Sequence, residues 1–346
     1  MATLTVRTPS KRDRLKLRRV RQRRVWLAAP WGAHPGIGDT PQPNVSVALA
    51  GLASAQNVLI AAVDGEICAF AVFDKGDASY RWNLCWLAAG SPRVDATDEV
   101  ANELWVALLE EGIRWAGETG VRRLFAFSHP DSTEYRSLVE AGFAGYAQYT
   151  VLRGHFKAGL RESAPVREQH ESDLWSIHQL YNRTTPRPVQ FAEALTSDAW
   201  ATDVSSRVPF RNRKRLGFVV PTEDGIGAVC HIDVGSPRPA VTVLCDYHLT
   251  HAVPSIVADS LEYASIYRDV DVVLAGYQQE LQHPFLTAGF AVSEEVIGAV
   301  RHTTATVVKE PVVSEFPVLS EVRPAVPIPY RGFSFAKPGE RLRAGA

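Results

Sequence analysis

From Thr97 to Thr119 apolar residues return at helical spacing, at Val100, Leu104, Leu108, Ile113 and Trp115. Thr97 stands where a side-chain cap belongs, and Asp98 and Glu99 place acids in the first turn. Thr119-Gly120 ends the pattern, with the glycine suited to a left-handed stop. Val121–Phe127 is then a continuous apolar run, expected as a buried strand. A short helix follows, and Ala141-Gly142-Phe143 leads into a last strand over Tyr146–Arg153. Upstream, strands are expected at Leu4–Arg7, Val58–Ala62, Glu66–Phe73 and Tyr80–Ala88, the middle two joined by an Asp64-Gly65 hairpin turn. Tyr80, Trp82 and Trp86 alternate, which puts them on one strand face as core or interface packing.

The second half repeats this order. His170–Tyr181 and Val189–Trp200 read as helices, and Arg215–Val220 and Ile226–Val234 flank a second hairpin signal, Asp224-Gly225. Ala240–Tyr247 is a strand, Pro254–Tyr267 a helix with proline in its first turn, and Val270–Ala275 a strand. Leu286–Phe290 echoes Val139–Phe143, and Val300–Val308 closes the unit. A period of about 150 residues means duplicated domains rather than a solenoid. The expected division is a basic N-terminal segment and loop over 1–44, a domain over 45–155, a second over 156–308, and a proline-rich tail over 309–346. The tail is expected to pack on the body or reach a partner.

Charge alters this picture at one place. The net charge is −1, yet Lys11–Arg24 holds one acid among many cations. Such a stretch attracts an anionic partner, a nucleic acid or an acidic protein, or forms a solvated helix face or a loop crossing the body. The four cysteines, Cys68, Cys85, Cys230 and Cys245, lie in apolar runs with no CxxC spacing. They are expected as buried, reduced thiols, which with the lack of a spanning apolar run points to a cytoplasmic protein with no membrane span. No Walker A, G-x-S-x-G or H-E-x-x-H motif is present, which argues against P-loop, α/β-hydrolase and zincin chemistry.

The order of long helix, strand, short helix and Gly-Phe, found twice, resembles the GCN5-related N-acetyltransferase superfamily. The resemblance implies an α/β (α+β) mixed sheet in two tandem domains, and an acyl-CoA-dependent N-acyltransferase using acetyl-CoA on a small-molecule or protein amine. It also implies a pyrophosphate-binding turn, Gln/Arg-x-x-Gly-x-Gly/Ala, opening each long helix. Aligned backwards from Trp115, that turn falls on Val100–Trp105, with Glu103 and Trp105 at the glycine positions; Gly90–Arg93 is the alternative. In the second half it falls on Leu249–Pro254, where Pro254 lacks an N–H but no acid repels an anion. Cofactor is therefore expected in the second half, at Leu244, Cys245, His251, Val253 and Ser255, with Val241–Leu244 along the cleft. The family's general-acid tyrosine aligns with Leu138 and Phe285, and Tyr135 and Tyr277 are nearby substitutes. Asp246, an acid ending an apolar run, is the expected base. The alternative reading is a catalytically degenerate tandem serving as a binding or structural subunit.

Overall fold

The computed structural model describes residues 3–10, 12–17, 20, 23–27, 58–74, 80–156, 165–202, 214–234 and 238–303. The later part of the segment and loop expected over 1–44, and the tail over 309–346, lie outside them. Residues Met1–Ala305 form one compact unit.

The strands are β1 (Leu4–Arg7), β2 (Arg23–Trp26), β3 (Val58–Val63), β4 (Glu66–Asp74), β5 (Arg81–Ala89), β6 (Arg123–Ser128) and β7 (Ala144–Gly154) in the first half. The second half supplies β8 (Arg167–Glu168), β9 (Lys214–Thr222), β10 (Gly225–Val234), β11 (Ala240–Cys245), β12 (Val270–Ala275) and β13 (Ala291–His302). All belong to one mixed sheet in the order β1-β3-β4-β5-β6-β13-β7-β12-β11-β10-β9-β8, with β2 added against β5. The Asp-Gly hairpins turn where the sequence placed them, with Gly65 at φ 82° and Gly225 at φ 123°. Gly142 and Gly289 end the paired short helices with φ of 80° and 94°.

The centre of the sheet is built by exchange. β13 runs antiparallel between β6 and β7, pairing Val300 with Phe125 on one side and Val296 with Tyr149 on the other. β7 in turn lies between β13 and β12, with Tyr149 opposite Ala275. Each half therefore gives its last strand to complete the other half, about a pseudo-twofold axis between β7 and β13.

Helices cover both faces. On one face lie α2 (Asp98–Glu118), α3 (Thr133–Glu140), α6 (Val253–Tyr263) and α7 (Gln282–Thr287). There Trp105, Leu108 and Leu138 pack on Phe73 and Trp82, and Ile256, Val257 and Phe285 pack on Val243 and Val272. On the other face lie α1 (Asp13–Leu17), α4 (Leu174–Thr184) and α5 (Arg187–Glu193). Leu17 packs there with Ile60 and Phe70, and Ile177 and Leu180 with Val219 and Val229. All four cysteines are free and buried. No helix among the described residues is long and apolar enough to cross a membrane.

The structure reveals a third repeated anchor. Arg7 grips Asp13 with two hydrogen bonds, Nη1 to Oδ2 at 2.7 Å and Nη2 to Oδ1 at 3.2 Å. Arg167 grips Asp173 in the same way, at 2.7 and 2.8 Å. In each case the acid also accepts a backbone N–H, from Ser10 at 2.7 Å and from His170 at 2.8 Å. Hydrogen bonding to the arginine holds the Asp13 carboxyl well below the usual carboxylate range and lowers that of Asp173.

Several expectations change. The basic stretch is woven into the fold, since Leu17 and Val20 are buried and Arg23–Trp26 is a strand. Trp82 and Trp86 do not share a face, because the β4–β5 register shifts between Val72 and Phe73. Trp82 stays in the core beneath α2, while Trp86 meets Phe70 on the opposite face. The helix expected over Val189–Trp200 stops at Glu193, where Ala194 turns left-handed at φ 44°, and a separate 3-10 turn covers Ser197–Trp200. The helix expected to run to Tyr267 ends at Tyr263, before Ser265 at φ 55°. The closing strand begins at Ala291, earlier than expected.

Candidate active site

Each half contains a place where two parallel strands part. β5 and β6 pair only from Arg81–Arg123 to Asn83–Phe125, and β11 and β12 only from Ala240–Asp271 to Thr242–Val273. Beyond these points the backbone groups facing the gap need other partners.

In the first wedge the chain supplies them itself. β2 pairs antiparallel with β5, Trp26 opposite Trp86 and Arg23 opposite Ala89. Leu27 N–H then donates to the Cys85 carbonyl at 3.0 Å, and the Leu27 carbonyl accepts from Phe127 N–H at 2.8 Å. The helix start beside this wedge is also taken. Thr97 Oγ1 accepts from Val100 N–H at 3.4 Å, and Asp98 and Glu99 follow. Val100–Trp105 lies inside α2, so the turn aligned there is helix rather than a cradle, with Glu103 exposed and Trp105 in the core. In the alternative turn, Ser91 Oγ accepts from the N–H groups of Arg93 and Val94, both at 3.2 Å, and donates to Glu66 at 2.8 Å.

The second wedge is arranged differently. Gln278 Nε2 donates to the Val243 carbonyl of β11 at 3.0 Å, and its Oε1 accepts from Ala275 N–H of β12 at 3.2 Å. Beside it α6 starts with no side-chain cap and no acid in its first turn. A 3-10 turn, Tyr247–Ala252, leads into it. Of the residues expected to hold cofactor, His251 is exposed and Ser255 half-buried at this helix start. Cys245 belongs to the core beneath α6, where burial pushes its thiol up to about 12. Val253 is also in that core, and Leu244 packs beneath α4.

Asp246 is not a free carboxylate. Arg183 Nε donates to its Oδ1 at 2.8 Å, Nη2 reaches Oδ2, and the same Nη2 donates to the Ile226 carbonyl at 2.9 Å. The bidentate arginine occupies both carboxylate oxygens. Asp246 thus ties α4 to the end of β11, and the base role expected of it would require breaking that pair.

A second carboxyl, not singled out by sequence, lies on the other face. Glu193 ends α5 and is buried against β7. It accepts from Tyr181 Oη at 2.7 Å and from Tyr149 Oη at 3.3 Å, and Tyr149 Oη lies 3.4 Å from Tyr146 Oη. Burial pushes the Glu193 pKa up against the opposing pull of the tyrosine hydroxyls. Burial, with the nearby Glu193 charge, pushes Tyr277 up to about 12. Tyr149 is opposite Ala275, so the cluster adjoins the second wedge. Glu193 gave no sequence signal, because the helix that carries it has only seven residues and ends at Glu193 itself.

No family model and no curated protein matches the chain. Among solved structures, a GCN5-related N-acetyltransferase from Sphaerobacter thermophilus aligns over 87% of this chain and 96% of its own, at 14% identity and a TM-score of 0.54. A tandem GNAT protein from the clavulanic acid biosynthesis pathway aligns over 88% of this chain and all of its own, at 11% identity and a TM-score of 0.48. The first of these establishes the fold. The chain has the α/β architecture of the GCN5-related N-acetyltransferases, in two tandem copies.

Proposed function

We propose that the protein is an acyl-CoA-dependent N-acyltransferase whose second repeat is the working one, acting on an amine. The observation that carries this reading is the contrast between the two long helices. α2 begins with a threonine cap and two acids, whereas α6 begins with neither. With no acid in that first turn, the positive end of the α6 dipole favours an anion such as a pyrophosphate, while the Val253 N–H itself donates to the Thr250 carbonyl and Pro254 has none. The Val243 carbonyl and the Ala275 N–H are a backbone pair that fits an amide-bearing arm. Acetyl-CoA bound there would supply an activated thioester. Asp246 and Arg183 then position the end of β11, and His251 adds a donor at the mouth. Glu193, held by Tyr181 and Tyr149, would take the proton released as the amine forms its C–N bond and the thioester C–S bond breaks, CoA leaving as the thiolate. Its raised pKa suits that task better than an ordinary carboxylate. Tyr277 keeps its phenolic proton through the neutral range.

A second reading, a catalytically degenerate tandem, is favoured by the filled first wedge and by the absence of a glycine cradle in either repeat. A thermal-shift titration of the whole chain with acetyl-CoA up to millimolar concentration separates the two. Binding should stabilise the protein by about 2.7 kcal/mol at a hundredfold excess over Kd. Glu193→Gln should leave that shift in place while lowering kcat by about a hundredfold and removing the acid limb of its pH profile. No shift at any concentration would leave the degenerate reading standing.

A further inference from the structure

The two wedges meet the same need by different means. In each, a carbonyl on the fourth strand of the repeat and an N–H on the fifth face a gap too wide for direct pairing. Phe127 and Ala275 supply that N–H at equivalent places, each four residues beyond the first paired position, Arg123 and Asp271. In the first wedge the bridging amide is the Leu27 peptide, fixed in the main chain. In the second it is the side-chain amide of Gln278.

Half of that second bridge is ordinary helix capping, since Gln278 Oε1 accepts from Ala275, three residues back. The other half is not local. The bond to Val243 spans 35 residues of sequence and crosses from one splayed strand to the other. The Gln278 backbone leaves the helical path, with φ −115° and ψ 32° inside its 3-10 turn, Gly276–Leu281. A side-chain amide can rotate away; a peptide in the main chain cannot. There is also room for it to go, because Gln278 borders a cleft lined by Gln148, Thr150, Gln279, Gln282 and Glu295. Those groups can hydrogen-bond a displaced amide.

We infer that Gln278 is an internal stand-in for a ligand amide, closing the second wedge and turning into the polar cleft when an extended, amide-bearing acyl-pantetheine arm pairs with Val243 and Ala275. This rests on the acyl-CoA reading above and adds the residue that gates it. It also fixes the stoichiometry. The first wedge cannot exchange its amide, so the chain takes one acyl-CoA, not two.

Isothermal titration of the whole chain with acetyl-CoA, and separately with pantetheine, tests this in the wild type, Gln278→Ala and Gln278→Met. Pantetheine lacks the phosphates and isolates the amide contribution, and the methionine keeps side-chain bulk should the alanine impair folding. Removing the amide leaves Val243 and Ala275 unpaired until ligand arrives, so both ligands should bind the variants roughly three- to tenfold tighter. Saturation should stay at one equivalent per chain. If the wild type binds and the folded variants bind equally or more weakly, or if two equivalents bind, the gate is wrong and the acyltransferase reading survives. If neither wild type nor variants bind acetyl-CoA, both fail. Binding by the variants alone would support a closed gate.

Discussion

Glu193 and Asp246 are two carboxylates with opposite surroundings. One is buried among tyrosine hydroxyls, the other locked to Arg183. The sequence marks only the second, because an acid at the end of an apolar run stands out and an acid closing a seven-residue helix does not. A second buried polar side chain makes a sharp pH test. His231 Nε2 lies 2.7 Å from Gln169 Oε1, and burial, with Arg215 nearby, pushes its pKa down to about 3. The native imidazole stays neutral where the unfolded one, near 6.5, takes a proton. Its contribution to stability is therefore complete above about pH 6.5 and is lost as pH falls toward 3, with a slope of at most about 1.4 kcal/mol per pH unit. Urea unfolding between pH 7.5 and 4.5 should show His231→Gln with a shallower loss than the wild type. Equal slopes would mean that His231 does not titrate differently on folding.

Most elements were legible from period and punctuation. β1 and β12 fall on their expected spans, and Thr97 caps α2. What failed were features set by tertiary neighbours: a bulge that turns Trp86 over and left-handed Ala194. The Arg-x5-Asp staples were readable in principle, since Val6-Arg7 and Val166-Arg167 each precede an aspartate six residues after the arginine. An arginine and an aspartate six residues apart carry no distinctive signal among the other charges around them. The staples test whether the basic segment is fold or surface. Asp13→Ala and Asp173→Ala should each cost about 1–3 kcal/mol by orphaning the N–H groups of Ser10 and His170. Lys16→Ala, at an exposed site in the same segment, should stay within about 0.5 kcal/mol. Equal, negligible losses by chemical denaturation would return the segment to the surface.

At the level of the whole molecule the duplication was visible and the exchange was not. Apolar alternation states which face of β7 or β13 is buried, but both orders of pairing satisfy it equally. With β13 seated between β6 and β7, neither half has a complete sheet of its own. A chain interrupted between residues 156 and 165 should therefore yield fragments that co-purify when made together. Each fragment alone should be insoluble or fail to unfold cooperatively. A cooperative, monomeric first fragment would contradict the exchange. The same arrangement has a consequence for synthesis. β7 leaves the ribosome with Gly154, but the strand that must lie beside it is finished only at His302. At roughly 5–20 residues per second, the first half waits on the order of ten seconds or more with the edges of β6 and β7 unpaired. Such edges invite pairing with other chains, so the nascent protein depends on its N-terminal half being shielded until its own C-terminal strand arrives.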